Sequence, residues 1–360
     1  MLYTINTAVQ LPCQPRPICV IGAGAIVNDA HLPAYQKAGW SVTHIFDLDL
    51  QKARHAADQF GIPTVAESLG ALIRQAPANA VFDVAVPASA LAGLLPKLPE
   101  KATVMIQKPF GETIAEARHL LRVCHDRQFT ASVNMQMKFI PAVIAAKNLI
   151  DQGAIGELHD LEIRMNINHP WQLWTFLFGI PRMEMLYHSI HYMDLLNYFL
   201  GMPQSVYAKT TQHPKQMQLA STRSVILFDY DRPVRAFINT NHGHEFGPKH
   251  QDSFIKWEGT TGAIKATLGL NINFPTGVAD TFEYVLPEDG TPPEWRSEKL
   301  AGSWYPDAFI GSMADLLCFA EGSSTRHITS VDEAYKTMQL VEAAYISSDA
   351  GGVAIDSISA

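Results

Sequence analysis

The chain has 360 residues, of which 47% are hydrophobic and 17% charged, and carries a formal net charge of -8. It is too apolar for a disordered chain and long enough for two cores, and its acidic balance argues against nucleic acid or an anionic membrane as the main partner. No apolar run approaches the roughly 20 residues of a membrane span. The N-terminal stretch lacks a signal-peptide pattern, and the four cysteines form no CxxC, so a cytoplasmic protein without a disulfide framework is expected.

The first third reads as strand and helix in alternation. ICVIG is an apolar run ending in glycine, and VTHIF precedes a helix striped by Ala53, Ala56, Ala57 and Phe60. Ser68 is placed to cap a helix carrying Leu69, Leu72, Ile73 and Ala76. VFDVAV is the next strand, and Leu91, Leu94, Leu95 and Leu98 mark the helix after it. TVMIQ leads to a capping box of Thr113 and Glu116, which opens a helix of Ala117, Leu120, Leu121 and Cys124; FTASVN closes the series. Continuous apolar strands between helices imply a parallel sheet covered on both faces, so residues 1–134 are predicted to form a doubly wound domain.

Beyond residue 134 the pattern changes. HDLEIRMNIN alternates, with Leu161, Ile163, Met165 and Ile167 on one face. SVYAKTTQ, RSVILFDYD, VRAFINTNHGH, SFIKWEG and GAIKATL follow as strands, and a last helix runs from about Val331 to Ser348. Residues 135–360 are therefore predicted to be an α+β domain with a largely antiparallel sheet, for substrate binding and oligomerisation.

VIGAGAIVNDAHLPAY places a glycine-rich turn directly after the first strand. Gly22 permits the tight turn, Gly24 lets backbone approach a pyrophosphate, and Ala25 and Ile26 open the helix whose N-terminus faces it. The third fingerprint position is Val27, which departs from the pattern. Asp47, at the end of the second strand and 25 residues beyond Gly22, is suited to the adenosine ribose and would repel a 2′-phosphate. Leu48 follows it, which favours NAD, with NADP as the second candidate because Lys52 lies one turn on. Pro87, Gln107 and Lys108 also follow the carboxyl ends of strands, the edge at which open α/β sheets bind ligands.

Four segments, in this order, resemble the glucose–fructose oxidoreductase/inositol dehydrogenase/MocA (Gfo/Idh/MocA) family of NAD(P)-dependent sugar dehydrogenases. They are the glycine loop with its His-x-Pro-Ala, VMIQKPFGETIAEARHLL, MKFIPAVIAAKNLIDQGAIGELHDLEI and HSIHYMDLLNYFLG. The resemblance implies an N-terminal Rossmann domain followed by an α+β domain. It also implies an enzyme transferring hydride between a nicotinamide and a sugar, polyol or related hydroxyl compound. The family's catalytic lysine maps to Lys108, with Gln107 in place of the usual Glu, and its His-x-x-Asp pattern to His191 and Asp194. Tyr187 stands where the family commonly has Asp, and His188 is a neighbour that could take its place.

On this reading His191 accepts the substrate proton, Lys108 donates a hydrogen bond to the same oxygen, and His188 and Tyr187 complete the catalytic set. Asn168, His169, Trp171 and, more weakly, Tyr305 are candidates for the sugar wall. No metal is expected. His188, His191 and Asp194, or His242 and His244, have ligand chemistry, but helical zinc motifs space histidines i,i+4 and no second matched pair is present. Two alternatives remain: an NAD-dependent glycosidase-like enzyme, and a non-catalytic NAD/sugar sensor. A homo-oligomer, dimer or tetramer, is expected.

Overall fold

The computed structural model describes residues 3–286 and 291–357. Its chain divides into two compact units, one of residues 6–144 and 301–338, the other of residues 1–5, 145–300 and 339–360.

The first unit holds β1 (Ile18–Ile21), β2 (Val42–Phe46), β3 (Thr64–Val65), β4 (Val81–Val84), β5 (Thr103–Ile106) and β6 (Thr130–Val133). All are parallel, in the order β3-β2-β1-β4-β5-β6. The order reverses between β1 and β4, the switch point where such sheets open a crevice. The connecting helices are α1 (Leu32–Lys37), α2 (Leu50–Phe60), α3 (Leu69–Gln75), α4 (Leu91–Leu94) and α5 (Ile114–Asp126). Ser68 caps α3 through the Ala71 N–H at 3.1 Å. Thr113 caps α5 through the Glu116 N–H at 3.2 Å, but the Glu116 carboxylate reaches past the cap residue to accept from the Glu112 N–H at 2.8 Å. The expected helix over Leu91–Leu98 breaks after one turn into a 3₁₀ turn at Leu95–Lys97, because Pro96 lacks the amide an α-helix needs.

A single cut between residues 134 and 135 does not describe this division. The helix α8 (Phe309–Glu321) returns to the parallel sheet, following α6 (Pro141–Asp151) and α7 (Ile190–Leu200) in the chain; α9 (Val331–Ala350) comes last. The reason is apolar burial: Phe309, Met313, Ala314, Leu316 and Leu317 share one core with Ile18, Val20, Ile45, Val81 and Met105.

The second unit carries β7 (Leu158–Asn166), β8 (Ser205–Thr211), β9 (Arg223–Asp229), β10 (Arg235–Asn241), β11 (Asp252–Gly259), β12 (Ala263–Thr267), β13 (Thr281–Val285) and β14 (Arg296–Ser297). Their order is β14-β13-β12-β11-β7-β10-β9-β8. The sheet is antiparallel except at its centre, where β7 runs parallel to β10, with Ile163 opposite Ile238. Leu161, Ile163 and Met165 are buried as their alternation predicts. α7 lies against this sheet: its Phe199 ring is 5.2 Å from Trp257 of β11, and its Tyr192 hydroxyl is 3.9 Å from the Met165 sulfur of β7.

Candidate functional site

The carboxyl edge of the parallel sheet gathers the glycine loop, Asp47, Pro87 and Gln107–Lys108, each just past the end of its strand. Gly22 holds φ +109° while its N–H donates to the Phe46 carbonyl at 2.7 Å. A Cβ there would lie 2.3 Å from the Ala85 carbonyl oxygen, so loop and β4 approach closer than any side chain allows. Gly24 has open space where its Cβ would stand, with no described atom within 4 Å. Asp47 accepts the Ala23 N–H at 2.7 Å on one oxygen and the Asp49 N–H at 2.8 Å on the other. Its carboxylate is thus fixed to the loop, with lone pairs left for hydroxyls. Val27, the departure from the fingerprint, is fully buried in the core beside α8, so a packing residue stands where the pattern asks for a small one. A tight loop, a clear backbone approach and a fixed acid fit a dinucleotide.

Lys108 follows β5 between buried Gln107 and buried Pro109, and the Gln107 side-chain oxygen accepts the Lys108 N–H at 3.1 Å. Burial lowers its ammonium pKa from 10.5 to about 8. Near the same edge lies a polar network that sequence reading did not find. Asp83, in the middle of β4 and fully buried, pairs with His31 Nδ1 at 2.8 Å and accepts the Tyr35 hydroxyl at 2.8 Å; His31 Nε2 is 3.2 Å from the Asn134 side-chain nitrogen. Burial, reinforced by the Asp83 charge, pushes the Tyr35 phenol well above 10. The available signal was a lone carboxylate inside VFDVAV, since a charge in a buried strand demands partners.

In the second unit a wide π-helical turn, Glu184–Ser189, runs straight into α7. It carries Tyr187 and His188, and α7 carries His191, 7% exposed, and Asp194, 1% exposed. Glu184, also absent from the sequence expectations, is fully buried. It accepts the Ser189 hydroxyl at 2.6 Å, the Ser224 hydroxyl, and His242 Nε2 at 3.2 Å. Burial alone would raise its pKa; the hydrogen bonds and charge of His242 and the two hydroxyls outweigh that and hold it below the ordinary value. The Tyr187 ring belongs to an aromatic cluster, packed on Trp171, Leu177, Met183 and Leu219 and 5.8 Å from Phe176.

Of the expected wall, Asn168 is exposed, while His169 lies 4.3 Å from Trp171, 5.0 Å from Trp174 and stacked 6.4 Å from Phe274. Burial, with the neighbouring His242, holds the His169 pKa well below 6.5. Tyr305 belongs to the other unit, its ring 5.0 Å from Phe309; burial and Asp29 push its phenol up to about 12. β10 stops at Asn241, so His242 and His244 do not share a strand face: His242 is fully buried and His244 half-buried.

Two family descriptions match in succession: the oxidoreductase family's NAD-binding Rossmann fold over residues 17–135, and the GFO/IDH/MocA C-terminal domain over residues 143–265. The chain belongs to the Gfo/Idh/MocA oxidoreductase family. This family member is similar to D-apiose dehydrogenase of Rhizobium rhizogenes, with 24% identity over 347 residues, 94% of this chain and 96% of that enzyme. A shorter match, 36% identical over 67 residues, covers 19% of this chain and 18% of D-xylose 1-dehydrogenase [NADP(+)] of Haloarcula marismortui. Among solved structures, levoglucosan dehydrogenase in complex with NADH and levoglucosan superposes with a TM-score of 0.78 at 19% identity, covering 94% of this Gfo/Idh/MocA chain and 98% of that one. That likeness establishes the two-part fold.

Proposed function

We propose that the chain is an NAD-dependent dehydrogenase that oxidises a hydroxyl of a small sugar or polyol. The observation that carries this reading is the carboxyl edge of the parallel sheet, where Gly22, Asp47 and Lys108 stand at the ends of β1, β2 and β5. Asp47, fixed by two amides, holds the adenosine ribose; Leu48, 94% exposed, offers no cation to a 2′-phosphate, and this supports NAD over NADP. Gly24, Ala25 and Ile26 bring backbone to the pyrophosphate, and Pro87 and Gln107 line the same edge.

The bound nicotinamide supplies the hydride acceptor. The protein removes the proton: His191 takes it from the substrate hydroxyl, and Lys108 stabilises the developing alkoxide as a hydrogen-bond donor. Asp194 sits one helical turn after His191 and supports it. Asn168 and the rings of His169 and Trp171 provide polar edges and aromatic faces for a hydroxylated ring, and the names of two curated relatives, D-apiose dehydrogenase and D-xylose 1-dehydrogenase, support that substrate class. His188 and Tyr187 are secondary catalytic candidates, and Tyr305 is a secondary candidate for substrate binding. Self-association through the exposed face of β8, β9 and β10, where Tyr207 and Leu227 pair beside Phe237, and a cytoplasmic location belong to the same reading.

Mixing the protein with NAD, and separately NADP, and a panel of pentoses, hexoses, inositols and sugar acids tests it by nicotinamide absorbance. Reduction that disappears in Lys108→Ala and His191→Ala proteins supports the proposal. Tight NADH binding with no turnover on any panel member, but with aryl-glycoside hydrolysis, would replace it with the glycosidase reading; neither activity would leave a sensor.

A further inference from the structure

Three imidazoles from separate segments of the second unit converge: His169 after β7, His188 in the turn before α7, and His242 after β10. One ring nitrogen of each lies within 4.8 Å of the other two. Their ring planes are steeply inclined, at 72° to 90°, with centroids 4.4 to 5.5 Å apart. His242 is fully buried, and its Nε2–H donates to the buried Glu184 carboxylate at 3.2 Å, so that in the neutral imidazole Nδ1 carries the lone pair. That Nδ1 is buried with no hydrogen-bond partner, and so is Nδ1 of His169. Buried polar atoms are ordinarily satisfied, so two orphaned nitrogens in one histidine cluster point to a ligand.

We propose that His169, His188 and His242 bind a divalent transition metal of the zinc class, with Glu184 as the carboxylate behind His242 and a fourth position left to water or a ligand oxygen. An imidazole in a plain aromatic cluster needs no carboxylate behind it, whereas a metal-ligating one almost always has such an outer partner to fix its tautomer. Three nitrogen donors favour zinc, cobalt, nickel or copper over magnesium and calcium, which take oxygen ligands. Tetrahedral zinc sets its nitrogens about 3.3 Å apart, so the rings close inward from at most 4.8 Å, a movement within reach of side-chain rotation. The set uses neither Lys108 nor His191, but it shares His169 with the proposed substrate wall and His188 with the secondary catalytic candidates.

The test titrates tag-free, EDTA-stripped protein with Co²⁺ and reads visible absorption, then repeats with Zn²⁺ reading Tm. Ligand-field bands saturating at one equivalent, bleached by Zn²⁺, and a Zn²⁺-dependent rise in Tm are expected. His169→Gln and His188→Gln, at half-buried positions, lower affinity at least about tenfold, and Glu184→Gln about 10- to 100-fold, with circular dichroism and NADH binding confirming that each variant is folded. Wild-type protein with neither signal overturns the proposal. So does metal binding that survives the His169→Gln/His188→Gln double variant, or a thiolate charge-transfer band, which would assign the metal to a cysteine such as exposed Cys13.

Discussion

A lysine with a pKa of about 8 is about 90% protonated at pH 7 and about 10% at pH 9, whereas one with the ordinary value of about 10.4 remains about 96% protonated at pH 9. If Lys108 acts as a hydrogen-bond donor to the developing alkoxide, only its ammonium form is active. kcat/KM is then expected to fall above pH 8, roughly tenfold between pH 7 and 9 and about tenfold more by pH 10, an alkaline limb that an unburied lysine would not produce. Lys108→Arg keeps the charge with a pKa above about 12, so its rate is lower through altered geometry but its alkaline limb disappears. The assay is the initial rate of NADH formation from pH 6 to 10, at fixed ionic strength, with the best substrate of the panel. A kcat/KM that rises through pH 8, with the rise missing in Lys108→Arg, would make Lys108 the base and refute the assignment. An alkaline limb unchanged in Lys108→Arg would hand it to another group.

Asp47→Ala should weaken NADH binding by about 1.5–3 kcal/mol, the worth of hydrogen bonds to a charged group, and leave NADPH binding unchanged or tighter; paired fluorescence titrations measure both. Gly22→Ala should lower Tm and abolish NADH binding, since the added Cβ meets the Ala85 carbonyl at 2.3 Å, whereas Gly24→Ala, with clear space in the protein, should melt normally and lose only NADH affinity. Asp83→Ala leaves the His31 and Tyr35 donors buried without an acceptor and should cost about 2–6 kcal/mol in urea unfolding. Asp83→Asn, whose amide oxygen still accepts, should cost distinctly less.

Five of the six parallel strands were legible as short, largely apolar runs closed by a turn residue, and the glycine loop because its spacing is dictated by a pyrophosphate; β3, only Thr64–Val65, was too short to read. The eight-stranded sheet was read from alternation, except for β13 and β14, of which β14 is only two residues long. α8 was not assigned to the parallel sheet because nothing local marks which core an apolar helix joins. The histidines show the same limit more sharply. Periodicity finds neighbours on one element, so it grouped His188 with His191 and Asp194, and His242 with His244. The fold instead takes one histidine each from residues 169, 188 and 242, joined only by how β7, β10 and the turn before α7 meet. Glu184 and Asp83 were not singled out in the sequence, and the histidines they pair with lie 58 and 52 residues away.

The return of α8 to the first sheet has a consequence for how the chain is made. All six parallel strands have been synthesised by Val133, yet one patch over Ile18, Val20, Val81 and Met105 waits for Phe309, Met313 and Leu317. At about 5–20 residues per second, ribosomes take roughly 9–37 s to add the intervening residues. For that interval the nascent nucleotide fold carries a bare apolar surface, a site for chaperone capture during translation, and cutting the chain after residue 144 would make that exposure permanent.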